Sequence, residues 1–348
     1  MTRSPLIRLS LVVLTFSTLA GVALIARQAQ PTSATMTDAA TKFLATLTPE
    51  QKQKATFGFD DEHRQKWYFT PQQDKQKQSL RKGLRMDGMT DEQKTATLAL
   101  LKTGLSAKGF DQATTIMSME AILAELEKNG AMTRNPAWYF VSVFGDPTNT
   151  GKWGWRIEGH HLSVNFTLEK GVIVSATPLL FATNPAEVRD GTRKGLRTLA
   201  EIEDTAKQLI QSFDDDQNKL AKQAKQFPEI KEGQPNAAVG EPVGIPASKL
   251  TDDQKAMLMK VLEAYANRSP ADLAKLELQR VKDAGADKVH FAYCVEPDKK
   301  GKPYSYRVHG PTFVVEFLNV QGDSAGNPAN HIHSGWRRLP MDFALQPK

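Results

Sequence analysis

The stretch that most constrains the fold is residues 138–176. Trp138-Tyr139-Phe140-Val141-Ser142-Val143-Phe144 is aromatic and β-branched, and Gly145-Asp146-Pro147 turns it. Lys152 to Glu158 and His161 to Leu168 alternate apolar and polar residues, and Val172 to Ala176 follows the turn Glu169-Lys170-Gly171. Period-two alternation punctuated by turn residues specifies an antiparallel meander of about four strands. Such a sheet has an apolar face to bury, so the rest of the chain must supply a covering layer.

Helical patterns supply it. Thr48-Pro49-Glu50-Gln51, Thr90-Asp91-Glu92-Gln93 and Thr251-Asp252-Asp253-Gln254 each set a capping residue three positions before a glutamine. That spacing lets the glutamine reach back to the cap, the capping-box arrangement. The second and third lead into helical periodicity, through Leu98, Leu101 and Leu105 and through Met257, Val261 and Ala264. The sequences diverge within two turns, so the recurrence reads as convergent capping chemistry rather than an internal repeat. Further helices are expected from Asp38 through Leu44, over Met117 to Lys128, over Arg197 to Gln226 with a break at Phe213-Asp214-Asp215-Asp216, and over 270–283. Phe57-Gly58-Phe59 and Trp67-Tyr68-Phe69 read as short strands, and longer ones are expected near 288–295, 304–309 and 312–319. Helices, meander, helices and strands in that order predict an α+β fold: an antiparallel sheet, meander plus C-terminal strands, with helices packed beside it.

Residues 1–26 read as an export signal. Arg3 and Arg8 precede the apolar run Leu9 to Ala26. The run is just long enough to cross a bilayer, which takes roughly 17–25 residues, so it serves as a cleaved signal or as an uncleaved anchor. Either places the protein in the periplasm or outside the cell. Residues 27–37, polar and rich in Gln, Thr and Ser, form a flexible tether, and residues 38–348 form one α+β domain with a Pro/Gly-rich loop at 228–249. Cys294 is the only cysteine of the chain, so no intrachain disulfide forms and stability comes from packing. Basic residues exceed acidic ones, 45 to 39, but the two signs are interspersed and leave no nucleic-acid footprint. The expected partner is a small-molecule substrate or ligand, with membrane contact only through an uncleaved N-terminal segment.

Two dense segments carry the chemistry. Trp153 to Asn165 holds two tryptophans, Arg156, Glu158, His160 and His161; Asn330 to Arg337 holds His331, His333, Trp336 and Arg337. On a strand His331 and His333 point the same way. His160 and His161 point oppositely unless a bulge at Gly159 re-aims the chain. Glu158 and His160 share a face. His160, His161, His331 and His333 are therefore the candidate metal ligands, with a divalent transition metal, zinc, copper or iron, as the cofactor. Glu158 is a ligand or general base, and His309 a proton carrier whose reference pKa of about 6.5 suits transfer near neutrality. Arg156 and Arg337 are candidates to orient an anionic substrate, or, with Arg307, to pair with Glu158 and Glu316. Trp153, Trp155 and Trp336 form a ligand platform or pack in the core. Two functions fit: a metal-dependent hydrolase, or a non-catalytic envelope protein binding a small molecule in a Trp/Arg-lined pocket.

The run WGWRIEGHHLSVNF, the preceding Asn135-Pro136-Ala137-Trp138-Tyr139-Phe140 and the late NHIHSGWR resemble the bacterial family catalogued as domain of unknown function 3500. The similarity runs from about Thr48 to Phe343. That family usually has an Asp soon after the late Trp-Arg, whereas Arg338 and Leu339 stand here, with Asp342 as the available substitute. The resemblance implies an exported or envelope location and supplies no activity.

Overall fold

The computed structural model describes residues 31–128 and 130–347. The export signal expected over residues 1–26 lies outside them. Within them the chain reads α1 (Pro31–Ala45), α2 (Pro49–Ala55), β1 (Thr56–Phe57), β2 (Leu84–Arg85), α3 (Asp91–Gly104), α4 (Ala107–Leu126), β3 (Tyr139–Gly145), β4 (Lys152–Gly159), β5 (Leu162–Glu169), β6 (Val172–Ser175) and β7 (Leu179–Thr183). It continues with α5 (Ala200–Gln211), α6 (Asp215–Ala221), β8 (Ile245–Pro246), α7 (Asp252–Ala266), α8 (Ala271–Asp283), β9 (His290–Val295), β10 (Tyr304–Gly310), β11 (Phe313–Gln321) and β12 (His331–Arg338). The fold is α+β, and its strands join one mostly antiparallel sheet ordered β1-β3-β4-β5-β7-β12-β11-β10-β9-β8. Among the described residues no helix is long and apolar enough to cross a membrane.

Within that order β3-β4-β5-β7 and β9-β10-β11-β12 run inward from either side to meet at β7–β12, and their details correspond. β4 and β5 pair Arg156 with Asn165; β10 and β11 pair Arg307 with Glu316, inside the matching strings Arg156-Ile157-Glu158-Gly159 and Arg307-Val308-His309-Gly310. β2 runs antiparallel to β3 as β8 does to β9, and the parallel β1–β3 pairing has its counterpart in the bridge from Lys222 to Tyr293. Each half carries two linked capping boxes. Gln51 and Gln93 exchange amide hydrogen bonds of 3.0 and 2.7 Å, and Gln217 and Gln254 do the same at 2.7 Å each. The two halves are thus built alike about the antiparallel β7–β12 pair. The capping boxes expected at Thr48, Thr90 and Thr251 are all formed, and their glutamines do more than cap. Gln93, Gln217 and Gln254 are buried and Gln51 is half-buried; each bonds its opposite number, a tertiary role that a local cap does not require.

Two other expectations change. α1 begins at Pro31, so residues 31–37 of the expected tether are helical. Buried Met36, Ala40 and Phe43 explain why, since they anchor the helix in the core. Trp67-Tyr68-Phe69 is loop, not strand, because its Tyr68 and Phe69 N–H groups donate to the Glu158 and Glu232 carboxylates and its Trp67 and Phe69 carbonyls accept from the Gly233 and His161 N–H groups instead of joining a ladder. The Asp214-Asp215-Asp216 cluster starts α6, with Asp214 as its cap.

Alternation along the strands divides the sheet into two covered faces. Trp153, Trp155, Ile157, Tyr306, Val308 and Trp336 pack with the helices in the main core. Gly104 permits close approach there, since a Cβ would lie 2.5 Å from the Phe166 ring. The opposite face bears Arg156, Glu158, Arg307, Glu316, His333 and Arg337. It is roofed by the loops before β2 and β8, with a smaller apolar cluster of Trp67, Phe69, Leu180, Ala182, Ile230, Leu318 and Phe343. One sheet therefore has a greasy side and a buried ionic side, and the site lies on the ionic side.

Candidate metal centre

Gly159 and Leu162 pair across the ends of β4 and β5, leaving His160-His161 as a two-residue turn. His161 adopts a φ of 65°, a left-handed conformation uncommon outside glycine. A side chain at Gly159 would strike the Tyr139 ring at 2.5 Å, so the turn is built against that ring. The expectation that the two histidines point oppositely unless a bulge intervenes fails, because the turn replaces strand alternation. Their rings lie side by side with centroids 3.6 Å apart. His161 is held by its N–H donating to the Phe69 carbonyl and its own carbonyl accepting from the Ala182 N–H, each at 2.8 Å.

Ala182 of β7 pairs with His333 of β12, so the turn and the C-terminal strand meet across one intervening strand. His331 and His333 share a face, and the Nε2 of His331 lies 2.9 Å from that of His161 and 3.0 Å from that of His333. The three rings offer donor atoms all within 4.8 Å of one another. His161 and His333 are buried, while His331 is partly open to solvent. The His333 Nδ1 lies 2.8 Å from an oxygen of Glu229, which fixes the ring proton there and leaves the Nε2 lone pair facing the cluster. In a neutral set, one Nε2 proton on His331 serves only one of its two close nitrogen neighbours well. A cation at the common point satisfies all three lone pairs.

The electrostatics suit that role. Burial, reinforced by His333 and His160, pushes His331 down to about 2. Burial and the three neighbouring imidazoles hold His161 well below the ordinary histidine value. Both rings are therefore neutral, the form that ligates. Burial is the largest influence on the Glu229 carboxylate and raises its pKa, but His333, the Ile230 N–H and Gln321 together outweigh it and leave the pKa lowered. For zinc–nitrogen bonds of about 2.0–2.1 Å, ligand nitrogens stand roughly 2.9 Å apart at right angles and about 3.3 Å apart in a tetrahedron. The two contacts made by His331, at 2.9 and 3.0 Å, match the right-angle value, while the set as a whole spans up to 4.8 Å. Phe69 closes one side, edge-on to His333 with centroids 5.0 Å apart.

His160 turns to other partners. Its Nδ1 is 2.5 Å from Glu120 and 3.1 Å from an Arg134 nitrogen, and Arg134 is paired with Glu127 at 2.8 Å. Glu120, Glu127, Arg134 and Glu229 are members of this neighbourhood that the sequence did not disclose. They come from a helix, its trailing loop and a proline-rich loop, with no motif linking them.

The other expected site residues stand apart from the histidines. Glu158 accepts from the Tyr68 N–H at 2.8 Å and pairs with Arg156 at 3.2 Å and Arg81 at 3.4 Å, so it neither ligates nor shares a partner with His160. Arg156 also reaches the His63 ring at 2.9 Å, and Arg307 pairs with Glu316 at 2.8 Å. Arg337 pairs with Asp342 at 2.5 Å and donates to the carbonyls of Lys231 and Gln234. These guanidiniums are bound inside the protein, which removes Arg156 and Arg337 as clamps for a substrate. Asp342 fills the acid position expected after Trp-Arg, displaced by a few residues. Trp153, Trp155 and Trp336 are core side chains, the last two stacked on Phe166 and Phe313 with centroids 5.0 Å apart. They form no ligand platform. His309 faces Val314, which pairs with β12 at Arg337. At about 3.3 Å per residue, Arg337 lies roughly 20 Å along β12 from His331, too far for proton exchange at the cluster.

These features define a class: an α+β protein of two similarly built halves with a largely buried three-histidine site at one end of its central strand pair. The chain belongs to the family described as protein of unknown function DUF3500, whose model matches residues 29–345. No curated protein and no solved structure matches it.

Proposed function

We propose that the protein is an exported metal-dependent hydrolase in which His161, His331 and His333 hold one divalent transition ion. The observation that carries this reading is the meeting of three imidazole nitrogens, two contacts at 2.9 and 3.0 Å, contributed by segments about half the chain apart. Three histidine ligands leave a position free on a four- or five-coordinate ion, and an ion so held activates water near neutral pH. Glu229 fixes the His333 tautomer and strengthens it as a donor. His160, stacked on His161 and joined to Glu120, buttresses the second ligand. Solvent reaches the cluster at His331, where Glu229 and Gln321 also meet at 3.1 Å. Export rests on the N-terminal sequence pattern alone. The Trp/Arg-lined binding pocket of the alternative reading loses its support, since its tryptophans are core and its arginines are internally paired.

The test is elemental analysis of untagged protein after reconstitution with zinc, copper or iron. One equivalent per chain is expected, falling to near zero in His331→Ala/His333→Ala and unchanged in His309→Ala. Well under one equivalent with every metal, or retention by the double variant, would refute the site. Ester, amide and phosphoester panels then test the hydrolase reading, and metal binding without turnover of any of them would count against it alone.

A further inference from the structure

The two helical corners, α3–α4 and α7–α8, meet where the halves join. Ser106 donates from its N–H to the Arg268 carbonyl at 2.8 Å and from its hydroxyl to the Asn267 carbonyl at 2.6 Å. Gly109 is pressed against the same backbone, where a Cβ would lie 2.1 Å from the Arg268 oxygen. This contact drives the Arg268 side chain inward. It is 1% exposed, and its Nε, Nη1 and Nη2 all lack a hydrogen-bond partner among the described residues. Arg307 and Arg337, by contrast, each have a carboxylate of their own.

The surroundings of Arg268 are polarisable but carry no balancing charge. Its guanidinium lies 4.6 Å from the Tyr265 ring centroid and 4.9 Å from that of Phe181. The Tyr265 hydroxyl bonds to that of Tyr306 at 2.8 Å. One turn along α4 from Gly109, Gln112 is also buried, with its Oε1 unpartnered, as is the Oγ1 of Thr198, whose carbonyl accepts from Gln112 at 3.1 Å. Among the described residues the acid acting on Arg268 is Glu201, which is half-exposed and paired with Lys108 at the surface. Arginine does not shed its proton at neutral pH, so the charge must be met in place. Aromatic faces offset part of it, but they offer no acceptors to five N–H donors. Water would accept bonds without balancing charge.

We infer that Arg268 holds a small monovalent anion of the halide class, bound internally between the two halves. Its size follows from burial, since no carboxylate- or phosphate-bearing molecule reaches a guanidinium this enclosed without the corner opening. The anion would lock the α3–α4 and α7–α8 corners together, making the junction of the halves sensitive to chloride. This proposal is independent of the metal reading, because Phe181 and Arg268 lie on the helical side of the sheet and the histidines on the other.

Metal-stripped protein is melted at constant ionic strength while sodium gluconate is exchanged for chloride or bromide. A saturable rise in melting temperature of roughly 4 °C is expected. Arg268→Met should melt at the same temperature in both salts, and the surface variant Lys108→Gln should respond as the parent does. A parent protein indifferent to halide, or an Arg268→Met protein that still responds, would overturn the inference. Should Arg268→Met fail to fold, crystals of the parent grown in bromide decide it. An anomalous peak in contact with the guanidinium supports the site, and its absence there refutes it.

Discussion

The two halves of this molecule share a scaffold and differ in what they do with it. In the first, Gly159 and Leu162 flank His160-His161; in the second, Gly310 and Phe313 flank Pro311-Thr312. The turn in the first half faces the start of β12, where His331 and His333 stand, whereas the second half's turn brings no imidazole to its neighbour. The ionic face differs as well. Arg156 and Arg307 occupy equivalent places, yet Arg156 shares Glu158 with Arg81, while Glu316 has Arg307 as its only ion-pair partner among the described residues. The two similar halves thus supply paired strand ends, and only one of those ends carries the histidines. Stability is spread over both halves, and the candidate chemistry is confined to one end of their junction.

The largest effect expected from that asymmetry is on the counterpart arginines. Arg307→Leu strands the Glu316 carboxylate in a buried setting and should cost about 3–5 kcal/mol in denaturant unfolding. Arg156→Leu should cost less, because Arg81 and the Tyr68 N–H still serve Glu158. Equal losses would show that the two ionic clusters are not organised differently.

Next comes Glu229, which exists only on the histidine side. Glu229→Gln should weaken metal affinity by about 10–100-fold in competitive chelator titrations, with little change in melting of the metal-free protein. Unchanged affinity would mean that Glu229 does not orient His333.

Where the halves agree, their responses should agree. Gln93→Ala and Gln254→Ala each remove one member of a buried amide pair and leave the other unsatisfied, so each should cost about 1–3 kcal/mol. A large disparity between them would break the equivalence of the two capping pairs.

The smallest effect is on acid sensitivity. Burial, with Arg307 and His290 nearby, pushes His309 down to about 4. Its pKa in the unfolded chain is about 6.5. Between those values the unfolded state binds more protons, so the stabilisation present above pH about 6.5 is lost as pH falls toward 4. His309→Gln should flatten the decline of stability over that window, read from unfolding midpoints at successive pH values. His63, pushed down to about 3 by burial and by Arg156, acts in the same direction in the other half and should retain its share of the slope.

Much of the architecture was legible in the chain itself. Period-two alternation over 138–176 dictated the meander, and Thr three residues before Gln marked helix starts, because both are local consequences of backbone geometry and capping. The same-side placement of His331 and His333 followed from strand alternation alone. The likeness of the halves was missed because its sequence trace is thin: two core faces of similar shape tolerate different apolar residues, and only the cap glutamines and Arg-x-x-Gly strings correspond. Tertiary structure alone decided which polar residues meet. Nothing local could say that Glu158 would turn to Arg156 and Arg81, that the tryptophans would face the helices, or that Glu229 would reach His333 from a proline-rich loop. Alternation determines which face a side chain takes, but its partners are set by how distant strands and loops are laid against each other.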